Sequence, residues 1–121
     1  MPLPVQRASA LAWRDESHVI ENRKLYREKF TQVLDILSPG LSLGQPDGGF
    51  CLWARTPEDD EQFWRKLYEQ TNIKVLPGSY LSREVAGTNP GAGRVRMALV
   101  APVEACVSAA QRISDFIEVN Y

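Results

Sequence analysis

The chain has 121 residues, enough for one domain that buries roughly two-thirds of its unfolded surface without covalent staples. With 44% hydrophobic and 24% charged residues and a formal net charge of -1, it offers no basis for binding nucleic acid or an anionic membrane through bulk charge. The opening MPLPVQRASALAWRDES has no continuous apolar core, and no run is long enough to span a bilayer. A cytoplasmic location is therefore expected.

After Pro2-Leu3-Pro4, the stretch Val5 to Ala12 suits a short helix, and Asp15, Glu16 and Ser17 supply polar start signals for a longer one. Val19, Tyr26, Phe30, Val33 and Leu37 recur at helical spacing on one face, and Ser38-Pro39-Gly40 ends the run. The aromatic-rich segment Gly48 to Arg55 is bounded by turn residues and is expected to be a buried strand. Thr56-Pro57-Glu58-Asp59 offers a capping hydroxyl, a proline for a first helical position and acids for the positive helix end. The helix it starts should reach about Gln70 and bury Phe63, Trp64 and Leu67, with Tyr68 at the edge.

Ile73 to Gly78 is expected to be a second strand stopped by Pro77, and Gly93 to Val100 a third. Alternation puts Val95, Met97 and Leu99 on one face of that third strand, and Arg94, Arg96 and Ala98 on the other. From Pro102, the residues Val103, Cys106, Val107, Ala110, Ile113 and Ile117 follow helical spacing to the chain end. Helices and strands interspersed in this way give an α/β, two-layer fold: a small sheet of three or four strands, at least partly antiparallel, with helices on one face.

Few residue types here support catalysis unaided. The one histidine, His18, falls at a helix start with charged neighbours, where a surface or capping role is expected. The acids of Pro57-Glu58-Asp59-Asp60-Glu61 have the character of a dipole complement and a solvated face. Cys51 and Cys106 lie far apart among apolar neighbours, and with one histidine they cannot complete a typical zinc site unless carboxylates help. Both are expected to be buried free thiols. The glycines of Asn89-Pro90-Gly91-Ala92-Gly93 lead into a strand rather than a helix, which favours a tight turn over a phosphate cradle.

The long loop from Pro77 to Pro90, followed by Arg94 and Arg96, is the unusual feature, since structureless loops of such length are uncommon in compact domains. Arginine presents a planar fork of donors that pairs bidentately with a carboxylate, and a strand holds that fork firmly. By spacing alone, two readings remain open: ordinary exposed arginines, or a carboxylate site.

The order of VLPGSYL, NPGAGRVRMALV and a closing amphipathic helix resembles the C-terminal part of a fold-type I, class I/II pyridoxal-phosphate aminotransferase. The N-terminal segment resembles the long helical connection to the large cofactor domain in such enzymes. Within the family, PGSYLSRE, GTNPGAG and VRMALVAP are most similar to the N-succinyl-diaminopimelate aminotransferases of lysine biosynthesis. The resemblance implies that residues 1–37 link to a large domain absent here, and that residues 38–121 are the small C-terminal domain, the whole forming one structural unit.

It further implies that Arg96 clamps the substrate α-carboxylate, that the 77–90 loop is mobile beside the substrate entrance, and that Ser79, Tyr80 and Arg94 are pocket-wall candidates. Arg94 stands where relatives often carry other residues. The parent enzyme would be a homodimer that uses pyridoxal phosphate on amino-acid and 2-oxo-acid substrates. None of Lys24, Lys29, Lys66 and Lys74 has the family's cofactor-lysine context, so no cofactor and no catalytic residue is assigned to this chain, and the isolated chain is expected to be inactive. A detached domain, whether an expressed fragment or a reading frame begun at an internal methionine, would expose Leu3, Leu11 and Trp13 and so tend to self-associate. The alternative is a free-standing α/β module that binds amino acids or partner proteins on its open sheet face.

Overall fold

The computed structural model describes residues 1–121. Pro2 stands just ahead of helix α1, Leu3–Arg14, which is longer at both ends than the expected Val5 to Ala12. Asp15 then breaks the helix and turns its carboxylate on the next one, accepting hydrogen bonds from the Ser17 N–H at 3.1 Å and from the Ser17 hydroxyl. Helix α2, Ser17–Leu37, buries Phe30, Val33 and Leu37, while Val19 and Tyr26 are only half-buried.

Strand β1 is Cys51–Arg55, shorter than the expected Gly48 to Arg55. Helix α3 is Asp60–Thr71, and its cap is Asp59, not Thr56. The Asp59 carboxylate accepts from the N–H groups of Glu61 at 3.1 Å and Gln62 at 3.0 Å, and a carboxylate meeting two free helix donors outcompetes a hydroxyl. Pro57 consequently lies outside the helix, and Thr56 donates instead to the Glu58 carbonyl at 2.7 Å. Asn72, left-handed at φ 55, closes the helix.

The second strand contracts to Leu76–Pro77, β2, because Pro77 has no N–H for the ladder and a 3₁₀ turn, Gly78–Tyr80, follows at once. Strand β3, Arg94–Ala98, is central, in the order β1-β3-β2 with both pairings antiparallel. Helix α4, Val103–Asn120, packs on α2 and α3. Leu52, Ala54, Val95 and Met97 from the sheet join Phe30, Leu37, Phe63, Leu67, Ile113 and Phe116 from the helices in one core. The α/β, two-layer reading therefore holds, with the sheet wholly antiparallel. No helix is long and apolar enough to cross a membrane.

Of the two thiols, Cys106 is buried and donates to the Ala101 carbonyl, whereas Cys51 is only half-buried. The difference follows from the pleat. Leu52 and Ala54 face the core, so Cys51, Trp53 and Arg55 must face away.

Candidate functional site

The face of the sheet opposite the helices is set by β3. Val95 is fully buried and Met97 nearly so, which turns Arg94, Arg96 and Ala98 to the open side. Register then decides their neighbours: Arg96 stands opposite Trp53 on β1 and Leu76 on β2, and Arg94 stands opposite Arg55. Trp53 extends its indole across β3, since its Cη2 lies 2.7 Å from where a Cβ on Gly78 would stand. An aromatic floor and three guanidiniums share this face.

Arg96 lines a depression of about 550 Å³ together with Tyr80, Trp64, Leu76 and Lys74. The ion pairs of the chain are Arg65 with Glu61 and Lys66 with Glu58, and Asp15 lies beside His18, so no carboxylate neutralises Arg96. A half-buried guanidinium with no acid and no side-chain hydrogen bond in the chain has donors free for a ligand carboxylate. Tyr80 is exposed at the rim, and the Glu61 carboxylate beside it raises the phenol above its ordinary pKa.

Ser79 lies outside this depression, and its polar atoms are committed elsewhere. Its N–H at 2.9 Å and its hydroxyl at 2.7 Å both donate to one oxygen of Asp60, whose other oxygen accepts from the Gly93 N–H at 3.3 Å. Asp60 is 1% exposed, which overturns its reading as part of a solvated acidic face. Burial pushes its carboxyl up, but the bonds from Ser79, from Gly93 and from its own N–H outweigh that and hold it below the ordinary carboxylate value. The spacing contained a signal: Asp60, Phe63 and Leu67 follow one another at three and four residues, which is the buried stripe of α3.

Asp60 thereby ties the two ends of the Pro77–Gly93 loop to the start of α3. Inside the loop, the Ser82 hydroxyl donates to the Asn89 side-chain carbonyl and accepts from the Gly91 N–H at 3.0 Å, and the Asn89 amide donates to the Ser79 carbonyl at 3.1 Å. The segment expected to be mobile is thus knit by its own polar groups. Gly91 allows the closest crossing, because a Cβ there would run into the Gly78 carbonyl. Together with the positive φ of Gly93, 68°, this accounts for the glycines as a turn into β3.

The four lysines lie apart from one another, in different surroundings. Lys29 is buried and donates to the Leu99 carbonyl at 3.0 Å, Lys66 pairs with Glu58 at 2.9 Å, Lys74 is exposed beside the Tyr68 ring, and Lys24 is exposed on α2. Asp60, the one buried carboxylate, has both oxygens occupied. No group of three or more His, Cys, Asp or Glu side chains could hold a metal ion.

The sequence profile of the family described as aminotransferase class I and II matches residues 1–113. An aminotransferase from Neisseria meningitidis superposes with TM-score 0.88 at 47% identity, covering 100% of this chain and 30% of that one. A probable N-succinyldiaminopimelate aminotransferase from Thermus thermophilus superposes with TM-score 0.62 at 37% identity, over 76% of this chain and 24% of that one. The LL-diaminopimelate aminotransferase of Maridesulfovibrio salexigens is 32% identical over 114 residues, 91% of this chain and 28% of the relative. The chain thus spans less than a third of the relatives it matches.

Proposed function

Because this chain belongs to the class I and II aminotransferase family, we propose that it is the small domain of a pyridoxal-phosphate-dependent transaminase and holds the substrate α-carboxylate on Arg96. The observation that carries this reading is the Arg96 fork: fixed on a central strand, half-buried, facing an open depression and free of any acid in its own chain. The cofactor supplies the electron sink for amino transfer, and the residues of this chain do not fit it. A cofactor lysine needs a desolvated or positively flanked amine that is free to react, whereas Lys74, which shares the depression with Arg96, is exposed, and the one buried amine, Lys29, is engaged by the Leu99 carbonyl at 3.0 Å. The role left to this chain is to bind and orient the acid end of amino and 2-oxo acids, in a complete enzyme that acts as a homodimer. Such a chain is inactive alone.

Among acceptors, we favour a succinylated 2-amino-6-oxopimelate with glutamate as donor. Support for the succinyl group comes from likeness to the Thermus protein, named a probable N-succinyldiaminopimelate aminotransferase, while the Maridesulfovibrio protein, named for LL-diaminopimelate, supports the pimelate skeleton alone.

Grafting tests the assignment. This chain, put in place of the stretch it matches in the Neisseria aminotransferase and supplied with pyridoxal phosphate, should sustain amino transfer from glutamate. Arg96→Lys in the graft should raise KM for donor and acceptor alike by about tenfold or more, the loss of one charge-assisted bidentate pair. Unchanged constants for both substrates would remove Arg96 from the site.

A further inference from the structure

We propose that a cavity of about 110 Å³ on the core side of β3, walled by α2 and α4, is a binding site for one small uncharged apolar molecule of the size of benzene. The void arises from the way the sheet ends. Strand β2 pairs with β3 only as far as Leu76 opposite Arg96. Carried further, that register would bring Val75 to Met97 and Ile73 to Leu99, but residues 72–75 leave the strand, and these four side chains line a gap instead. Helix α4 does not close the gap, because Ala105, Ala109 and Ala110 and the short side chain of Cys106 are what it presents there. Val33 and Leu37 of α2 and Ile113 of α4 complete the lining.

The chemistry of the lining decides the occupant. Lys74 is its one charged residue, and it is exposed at the mouth with Ala98 and Ala105. The floor is apolar and already formed: Leu37, Leu99, Cys106, Ala110 and Ile113 are all buried. The Cys106 thiol is committed to the Ala101 carbonyl at 3.4 Å, and no buried side-chain nitrogen or oxygen lacks a hydrogen-bond partner. A water molecule needs about two to four polar partners, and the floor side chains offer none. The volume is too small for a peptide segment or a helix of a second copy, whereas an apolar cavity of about 150 Å³ stays dry and takes benzene or xenon. Atoms that face a void lack contacts on one side, and an apolar ligand restores them. Val75 and Ala98 also line the Arg96 depression, so the two sites share a wall while differing in chemistry. The cavity does not depend on the role given to Arg96.

The experiment is a titration of the 121-residue chain, labelled at its Ile, Leu, Val and Met methyls, with benzene and, as a charged control, with butyrate. Benzene should shift the methyls of Val33, Leu37, Met97 and Ile113 saturably and leave Val5 and Leu11 of α1 in place, and butyrate should shift none of these. Ala109→Leu puts a larger side chain at the cavity wall and should weaken benzene by about tenfold or more. Ala105→Val, at the exposed mouth, is a second variant with the same expected direction; backbone amide spectra check that each is folded. Cavity methyls that benzene does not move, or folded variants that both bind it as the wild type does, would overturn the site. So would α1 methyls that respond as strongly as those of the cavity, since benzene would then be adhering to exposed apolar surface.

Discussion

Helix α1 and the Pro77–Gly93 segment both lie largely at the surface, yet they are held in opposite ways. Every turn of α1 is regular, and none of its residues is buried: Leu3, Leu11 and Trp13 are 58%, 67% and 84% exposed. The other segment has almost no regular structure but is anchored by a buried carboxylate and a glycine crossing. Backbone hydrogen bonds alone leave a helix of this length marginal in water, whereas removing one partner from a buried polar network strands the rest. Order that matters to the arginine face thus comes from the irregular segment. Asp60 fixes Gly93, and Gly93 directly precedes the strand that carries Arg94 and Arg96.

The largest loss of stability is expected at Gly91. Gly91→Ala drives a methyl into the Gly78 carbonyl and the Ser82 side chain, and backbone cannot yield as a flexible side chain would. A loss of about 3 kcal/mol or more is expected in urea unfolding, at the upper end for single substitutions. Asp60→Asn comes next. It keeps the volume but turns an amide toward the Ser79 N–H and hydroxyl, at a cost of about 2 kcal/mol at neutral pH. The sign in acid follows from the depressed folded pKa. Stability from ionised Asp60 is complete above the unfolded carboxylate value of about 3.9 and is lost as pH falls through the lower folded one. The gap between wild type and Asp60→Asn should therefore narrow below that pH. A gap independent of pH would show that packing, not charge, makes Asp60 necessary.

These residues also mark where the sequence could and could not be read. The strand face of Arg96 was legible because alternation needs only neighbours in sequence, and Val95 and Met97 declared the core side. The helical stripes of α2, α3 and α4 were legible for the same reason, although Val19, Tyr26 and Trp64, expected to be buried, are only half-buried, Trp64 because it lines the depression beside Arg96. The partners of Asp60 were not: Ser79 and Gly93 lie far along the chain, and nothing local distinguishes a carboxylate that meets them from one in water. Only its place on the Phe63–Leu67 stripe hinted at burial. The Arg55–Arg94 pairing was hidden as well, since it depends on β1–β3 register. Likewise, the cap of α3 moved from Thr56 to Asp59 because both lie in one run of good capping residues, and free helix N–H groups select among them in three dimensions.

A smaller effect is expected at Asn72, which ends α3 with φ 55 and is exposed. Asn72→Ala should cost about 1 kcal/mol, the left-handed penalty for a residue with Cβ and no compensating side chain, and Asn72→Gly should be neutral or slightly stabilising. Equal stability of the alanine and glycine variants would mean that the helix end re-forms elsewhere.

The smallest effect belongs to α1. Removing residues 1–14 takes away no buried side chain, so the unfolding free energy measured in urea should change by less than about 0.5 kcal/mol. In the intact chain, amide exchange in α1 should be among the fastest of any helix, while Val95 and Met97 exchange only through global opening. Its exposed apolar residues instead favour association, and sedimentation should show a concentration-dependent species that Trp13→Ser diminishes. A stability that falls by several kcal/mol on truncation would require α1 to be covered in solution by a second copy. Stability should then depend on protein concentration, which the Pro77–Gly93 segment, held within one chain, does not require.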